Sequence, residues 1–126
     1  MSKPTYTTDY KAIEHILLNQ YSEGGKQAKS ELMKPAFHQQ ATMYSVGEQG
    51  LAGGLVGETL FPIIDEHFKP SENPTVAIAY IDITGTAASA RVDTDELSGY
   101  GFTDYFNLLK IDGEWKIVSK IFHAHY

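Results

Sequence analysis

The chain has 126 residues, room for one domain built on one hydrophobic core. Its net charge of −6 comes without a basic stripe, which argues against an extended nucleic-acid interface, since phosphate contacts need clustered lysine or arginine. The absence of cysteine removes disulfides, thiolate nucleophiles and cysteine-based zinc sites.

The opening stretch "MSKPTYTTDY" has no apolar signal core, and no segment approaches the roughly 20 apolar residues of a membrane span. A soluble, cytoplasmic protein that avoids membranes is the expectation. Thr7, Thr8 and Asp9 offer N-cap side chains to a helix in which Tyr10, Ile13, Ile16, Leu17 and Tyr21 form one apolar face. Glu23-Gly24-Gly25 is expected to stop it, because glycine tolerates the left-handed C-cap conformation. A second, shorter helix is expected in "KQAKSELMKPAF", limited by Pro35. "ATMYSV" reads as a short strand. The glycine-rich run "GEQGLAGGLVGE" lacks the Lys-Ser/Thr pair of a phosphate loop, so its glycines are assigned to turns between short strands, near a pocket mouth.

"TLFPIIDEHF" returns to helical spacing through Leu60, Ile64 and Phe68; Pro62 is acceptable in the first turn if Thr59 is the cap. After "KPSENP" the texture becomes strand-like. "TVAIAYIDITGTAASARVDTDEL" suggests two strands turning near Thr84–Thr86, and "GYGFTDYFNLLKI" and "EWKIVSKIFHAHY" suggest two more. The order predicts a single α+β domain over residues 1–126, with a curved, mostly antiparallel sheet wrapped over three helices and a cavity between them.

Asp112-Gly113 is a strong hairpin signal, because a type I′ turn needs positive φ at both central residues. A two-residue turn there pairs Asp104 with Ile121 and Phe102 with His123. One face then carries Tyr100, Phe102, Asp104, Phe106 and Leu108 with Trp115, Ile117, Ser119, Ile121, His123 and His125. The other carries Thr103, Tyr105, Asn107 and Leu109 with Lys116, Val118, Lys120 and Phe122. The first set is richer in large apolar groups and is assigned to the core. A bulge would exchange the faces beyond it. In this register Asp104 lies diagonal to His123, about 7–8 Å apart at Cα, within reach of an acid–base interaction. A lone buried polar pair can equally serve only to satisfy its own hydrogen bonds and fix register. His125 with His123 and Asp104 makes a metal site conceivable, but no complete ligand set is present and no metal or cofactor is expected. His15 and His67 are expected in solvent. Tyr44 and Tyr80 either line the pocket or pack.

The stretches "YKAIEHILLNQYSEGG", "FHQQATMYSV" and "FTDYFNLLKIDGEWKIVSKIFHA" resemble the nuclear-transport-factor-2-like superfamily, in its branch named for lumazine binding, near the SnoaL-like and ketosteroid-isomerase-like groups. Where that family usually has Pro-Asp after the histidine of the middle motif, this chain has Gln39-Gln40. The resemblance implies a cone-shaped α+β barrel whose fold hosts isomerases, dehydratases, cyclases and pure binders. It also implies a heterocyclic ligand and a homodimer formed through the outer sheet face, for which Tyr105, Val118 and Phe122 are suited.

Three functions follow. The first is a small-molecule-binding domain with Tyr44, Tyr80, Phe102, Phe106 and Ile121 around Asp104 and His123. The second is an isomerase, cyclase or dehydratase in which Asp104 and His123 act as the acid–base pair, with Tyr44 or Tyr80 donating to a developing oxyanion. The third is a noncatalytic dimerisation module with a filled pocket.

Overall fold

The structure, a computed structural model, describes residues 5–126. A continuous helical run opens it: α1 (Thr7–His15), a π-helical segment (Ile16–Ser22) and α2 (Glu23–Gln27). The run buries Ile13, Ile16, Leu17 and Tyr21, the apolar face expected from their spacing. Two local expectations are corrected. No side chain caps α1; Asp9 instead accepts hydrogen bonds from Trp115 Nε1 and Lys110 Nζ, both at 2.9 Å, and ties the helix to the sheet. Gly24 and Gly25 do not end the helix, which runs on to Ala28 at φ 56°. They are buried within it, and a Cβ on Gly24 would lie 2.9 Å from the Met33 Cβ, so glycine here permits close packing rather than a turn.

α3 (Ser30–Met33) and a 3₁₀ turn (Lys34–Ala36) follow, held by Asp65, which accepts bonds from the Ser30 N–H at 2.8 Å and its hydroxyl at 2.7 Å. α4 (Leu60–His67) starts after Thr59, the expected cap position, and places Pro62 in a first turn whose N–H groups have no helical partner. The Thr59 hydroxyl donates back to the Leu55 carbonyl at 2.8 Å rather than capping α4.

Six strands form one curved sheet: β1 (Phe37–Gly47), β2 (Gly50–Leu55), β3 (Thr75–Thr84), β4 (Ala87–Leu97), β5 (Tyr100–Ile111) and β6 (Glu114–His125). Their order is β2-β1-β6-β5-β4-β3, so β2 and β3 are edges and the sheet wraps without closing. All neighbours are antiparallel except β1 and β6, which run parallel, with Met43 beside Lys120. The helices cover one face. There Ala90, Val92, Phe106, Leu108, Trp115 and Ile117 meet Leu17, Tyr21, Met33, Leu60 and Ile64 in a single core. Each large side chain so buried contributes about 1.5–3 kcal/mol.

The Asp112-Gly113 hairpin forms as read, with Ile111 opposite Glu114 and Leu108 opposite Ile117. The register then shifts by one: Asn107 pairs with Ser119, leaving Val118 as the extra residue of a β-bulge. Every side chain of β6 beyond Val118 therefore changes face relative to the unbulged register. Asp104 opposes Phe122, Phe106 opposes Lys120 and Thr103 opposes His123.

The glycines of residues 47–57 build the β1–β2 hairpin, and none of them lines the interior cavity. Gly53, at φ 146°, pairs with Tyr44; an added Cβ would collide with the Met43 carbonyl oxygen and lie 2.8 Å from Tyr44 Cα. Because backbone cannot yield as a flexible side chain can, Gly53→Ala is expected to lower unfolding free energy by about 2 kcal/mol or more, read as a fall in urea midpoint with unchanged slope.

Candidate active site

The bulge at Val118 carries Lys120 to the inside. Asp104 and Lys120 are diagonal neighbours on the core face, 2% and 5% exposed; Lys120, opposite Phe106, takes the place that the unbulged register assigns to Ser119. Their charged atoms, Lys120 Nζ and Asp104 Oδ1, are 3.7 Å apart, an ion-pair contact longer than a direct hydrogen bond. The other carboxylate oxygen, Oδ2, accepts a 3.0 Å bond from the Tyr21 hydroxyl. Tyr21 arrives from the π-helical segment, a local widening of the helix often found at functional sites. The ammonium lies 5.0 Å from the Tyr21 ring centre and 4.8 Å from that of Phe122, so two aromatic faces also stabilise it.

This group is under electrostatic stress. Burial pushes the Asp104 carboxyl up from its ordinary value of 3.8, partly offset by the Lys120 charge and the Tyr21 hydrogen bond. Burial pushes the Lys120 amine down from 10.5, opposed by Asp104. Tyr21 is raised well above 10.0 by burial and then by the Asp104 charge, so it remains a proton donor. Two groups driven toward each other in this way are suited to sharing and passing a proton. Asp104 Oδ1 has no hydrogen-bond partner among the described residues; nor does the buried Ser22 hydroxyl nearby.

Lys120 borders two spaces. An enclosed cavity of about 30 Å³ is lined by Tyr21, Ser22, Thr94, Leu97, Phe102 and Lys120 among others; that is room for about one water molecule. A cleft of about 280 Å³ opens beside it, lined by Met43, Tyr100, Phe102, Lys120, Phe122 and further apolar residues. Phe68 and Phe102 stack at 5.9 Å and line both, forming the partition between them. Among the described residues, Lys120 is the one charged side chain in the cleft's lining. Asp104 lies behind Lys120 and lines neither space.

Of the residues expected at a site, the structure keeps Asp104, Phe102 and Phe106 on the inner face; Phe102 reaches the cavity, while Phe106 is 1% exposed and packs on Tyr21 at 4.9 Å. Ile121 and His123 are corrected to the outer face, as a consequence of Val118, and His123 is not brought to Asp104. Tyr44 and Tyr80 also lie outside, in a row that crosses the sheet as Tyr44, Ile121, Tyr105, Arg91 and Tyr80. Phe122, expected outside, is inside, where it packs on Phe102 at 6.3 Å. His125 bonds Thr103 at 3.0 Å on the outer face, so it and His123 share no ion with Asp104. His15 and His67 are exposed. Lys120 and Tyr21 had been assigned to the outer face and to core packing respectively, and no sequence signal marks the bulge that joins them to Asp104.

With this geometry established, comparison with known proteins places the chain. Residues 8–123 match the family described as "Putative lumazine-binding". The chain belongs to that family. FrzH of Cladobotryum sp, named an aldolase, is 30% identical over 127 aligned positions, covering 99% of this chain and 98% of FrzH. A crystal structure of an NTF2-like (nuclear-transport-factor-2-like) protein of unknown function from Shewanella baltica OS155 is 52% identical. It superposes with a TM-score of 0.93 over 98% of this chain and 99% of that one. A second NTF2-like protein of unknown function, from Methylobacillus flagellatus KT, is 35% identical with a TM-score of 0.88, over 100% of this chain and 99% of the other. The family and its neighbours make this a small-molecule-binding or enzyme-like domain of the NTF2-like superfamily. No helix among the described residues is long and apolar enough to cross a membrane.

Removing Lys120 would strip Asp104 of its countercharge. In Lys120→Met the carboxyl rises further, and a folded-state value above 3.8 gives stability that is present below that value and lost as pH rises through the raised one. The variant is expected to lose about 3–5 kcal/mol relative to wild type near pH 8 and distinctly less near pH 5, measured by urea unfolding at both.

Proposed function

We propose that the chain is an enzyme acting on a small, mostly apolar carbonyl compound bound in the cleft beside Lys120. The observation that carries the reading is a buried lysine that lines a cleft and is backed by a carboxylate with a protonated tyrosine beyond it. Apolar clefts with one or two convergent polar groups are the usual form of small-ligand sites. Lys120 engages the carbonyl, Asp104 takes and returns its proton, and Tyr21 keeps the carboxylate oriented. The reaction class is proton removal next to a carbonyl, the step shared by aldol additions and by many isomerisations. Likeness to an aldolase over nearly the full length of both chains supports the same class. His123, on the outer face, has no part in it.

Exchange of the α-hydrogens of cyclohexanone in D₂O, followed by proton NMR, tests the reading. Wild type is expected to accelerate exchange over buffer, Asp104→Asn to lose about 10²–10⁴-fold, and His123→Ala to match wild type. Exchange no faster than buffer, or undiminished in Asp104→Asn, would overturn it.

We also infer a homodimer through the outer sheet face. Tyr80, Tyr105 and Ile121 are 41%, 40% and 52% exposed in one row that crosses four strands, with Arg91 between the two tyrosines, a largely aromatic surface fit for a two-fold, self-complementary contact. Ile121→Glu is expected to convert a dimer to a monomer in analytical ultracentrifugation; an unchanged sedimentation coefficient would refute this surface.

A further inference from the structure

We propose that Lys120 is a covalent catalyst, attacking the carbonyl carbon of a ketone or aldehyde in the cleft to form an iminium ion. The inference rests on the carbonyl-enzyme reading and gives it a mechanism. The geometry supplies each requirement. The amine borders both the enclosed cavity and the cleft, so an electrophile seated against Phe102 and Phe122 meets it. A carboxylate stands 3.7 Å from the nitrogen, with one oxygen free of hydrogen bonds. Aromatic rings flank the nitrogen and exclude bulk water, which favours loss of water from the adduct. Burial also favours the neutral, nucleophilic form of the amine, as in lysines that form Schiff bases.

The steps balance. Lys120, having passed one ammonium proton to Asp104, forms an N–C bond as the carbonyl π bond breaks, and the oxygen takes a proton to become a hydroxyl. Protonated again through Asp104, this oxygen leaves as water, while nitrogen gives up its second proton in the overall exchange and the C=N⁺ bond forms with one N–H retained. The iminium acidifies the neighbouring C–H. Its proton passes to the carboxylate through a water, for which the small cavity beside Ser22, Thr94 and Lys120 has room, and leaves an enamine. The enamine's carbon can then take up a proton or add to a second carbonyl, and addition of water returns free Lys120. An imine route also accounts for a lysine that lines the cleft with Asp104 behind it: the nitrogen bonds the substrate, and the carboxylate relays the protons.

The test is reductive trapping of the wild-type protein with cyclohexanone and sodium cyanoborohydride near neutral pH, followed by peptide mapping. The chain has nine lysines, which provide internal controls. Lys120 is expected to gain the mass of the ketone less its oxygen several-fold faster than any exposed lysine, since a lowered amine pKa raises the neutral fraction and the cleft seats the ketone beside it. Lys120→Arg, which keeps the charge but cannot form an imine, is expected to lose both the adduct and α-hydrogen exchange. Adducts spread evenly over surface lysines, or none at Lys120 while α-hydrogen exchange persists, would overturn the imine and leave the carbonyl reading standing. Absence of both adduct and exchange would overturn both.

Discussion

One extra residue, Val118, governs what the interior of this protein can do. Before it, β6 presents Trp115 and Ile117 to the core; after it, the strand presents Lys120, Phe122 and Ala124. A bulge of this kind re-aims side chains without changing which strands pair. Here it takes a lysine that an uninterrupted strand would leave in solvent and sets it beside Asp104, where only a countercharge and aromatic faces make burial tolerable. The carboxylate, the tyrosine and the partition of Phe68 and Phe102 all derive their significance from that displacement.

A buried ion pair seldom adds much to stability, because desolvation cancels most of its Coulomb attraction. The pair here is also incompletely satisfied, with Asp104 Oδ1 lacking a hydrogen bond. A chain selected only for stability would be served as well by two apolar side chains of similar volume. The cost, in a position that borders a cleft, is what the proposed chemistry would account for.

The fold was largely legible because it rests on periodicity. The apolar spacing of Ile13, Ile16, Leu17 and Tyr21, the Asp112-Gly113 turn and the alternation along β5 each impose a local geometry that tertiary packing agrees with. The site was half legible. Asp104 stood out as an acid on an apolar face, and the structure does give it a polar diagonal neighbour from β6. The partner's identity depended on a register that slips by one at a valine, a residue equally at home in a regular strand, so the unbulged register brought His123 to one diagonal of Asp104 and put Ser119 where Lys120 stands on the other. Gly24 and Gly25 misled for a related reason: glycine marks a stop when the next segment departs, and a close contact when Met33 presses against it. Only the packed structure separates those uses.

The parallel pairing of β1 with β6 has a consequence for how the protein is assembled. Met43 lies beside Lys120, so the two halves of the sheet are joined by a strand that follows every other described element in the chain. β1 and β2 can make their own hairpin early, and β3 to β5 theirs, but the space between the two groups is filled only when β6 inserts. Contacts of such long sequence separation carry a large loop-closure cost and form late and slowly. Lys120 sits on that inserting strand. The Lys120 amine is thus sealed from water in the same event that completes the sheet, so the proposed chemistry would be available only to the fully assembled fold.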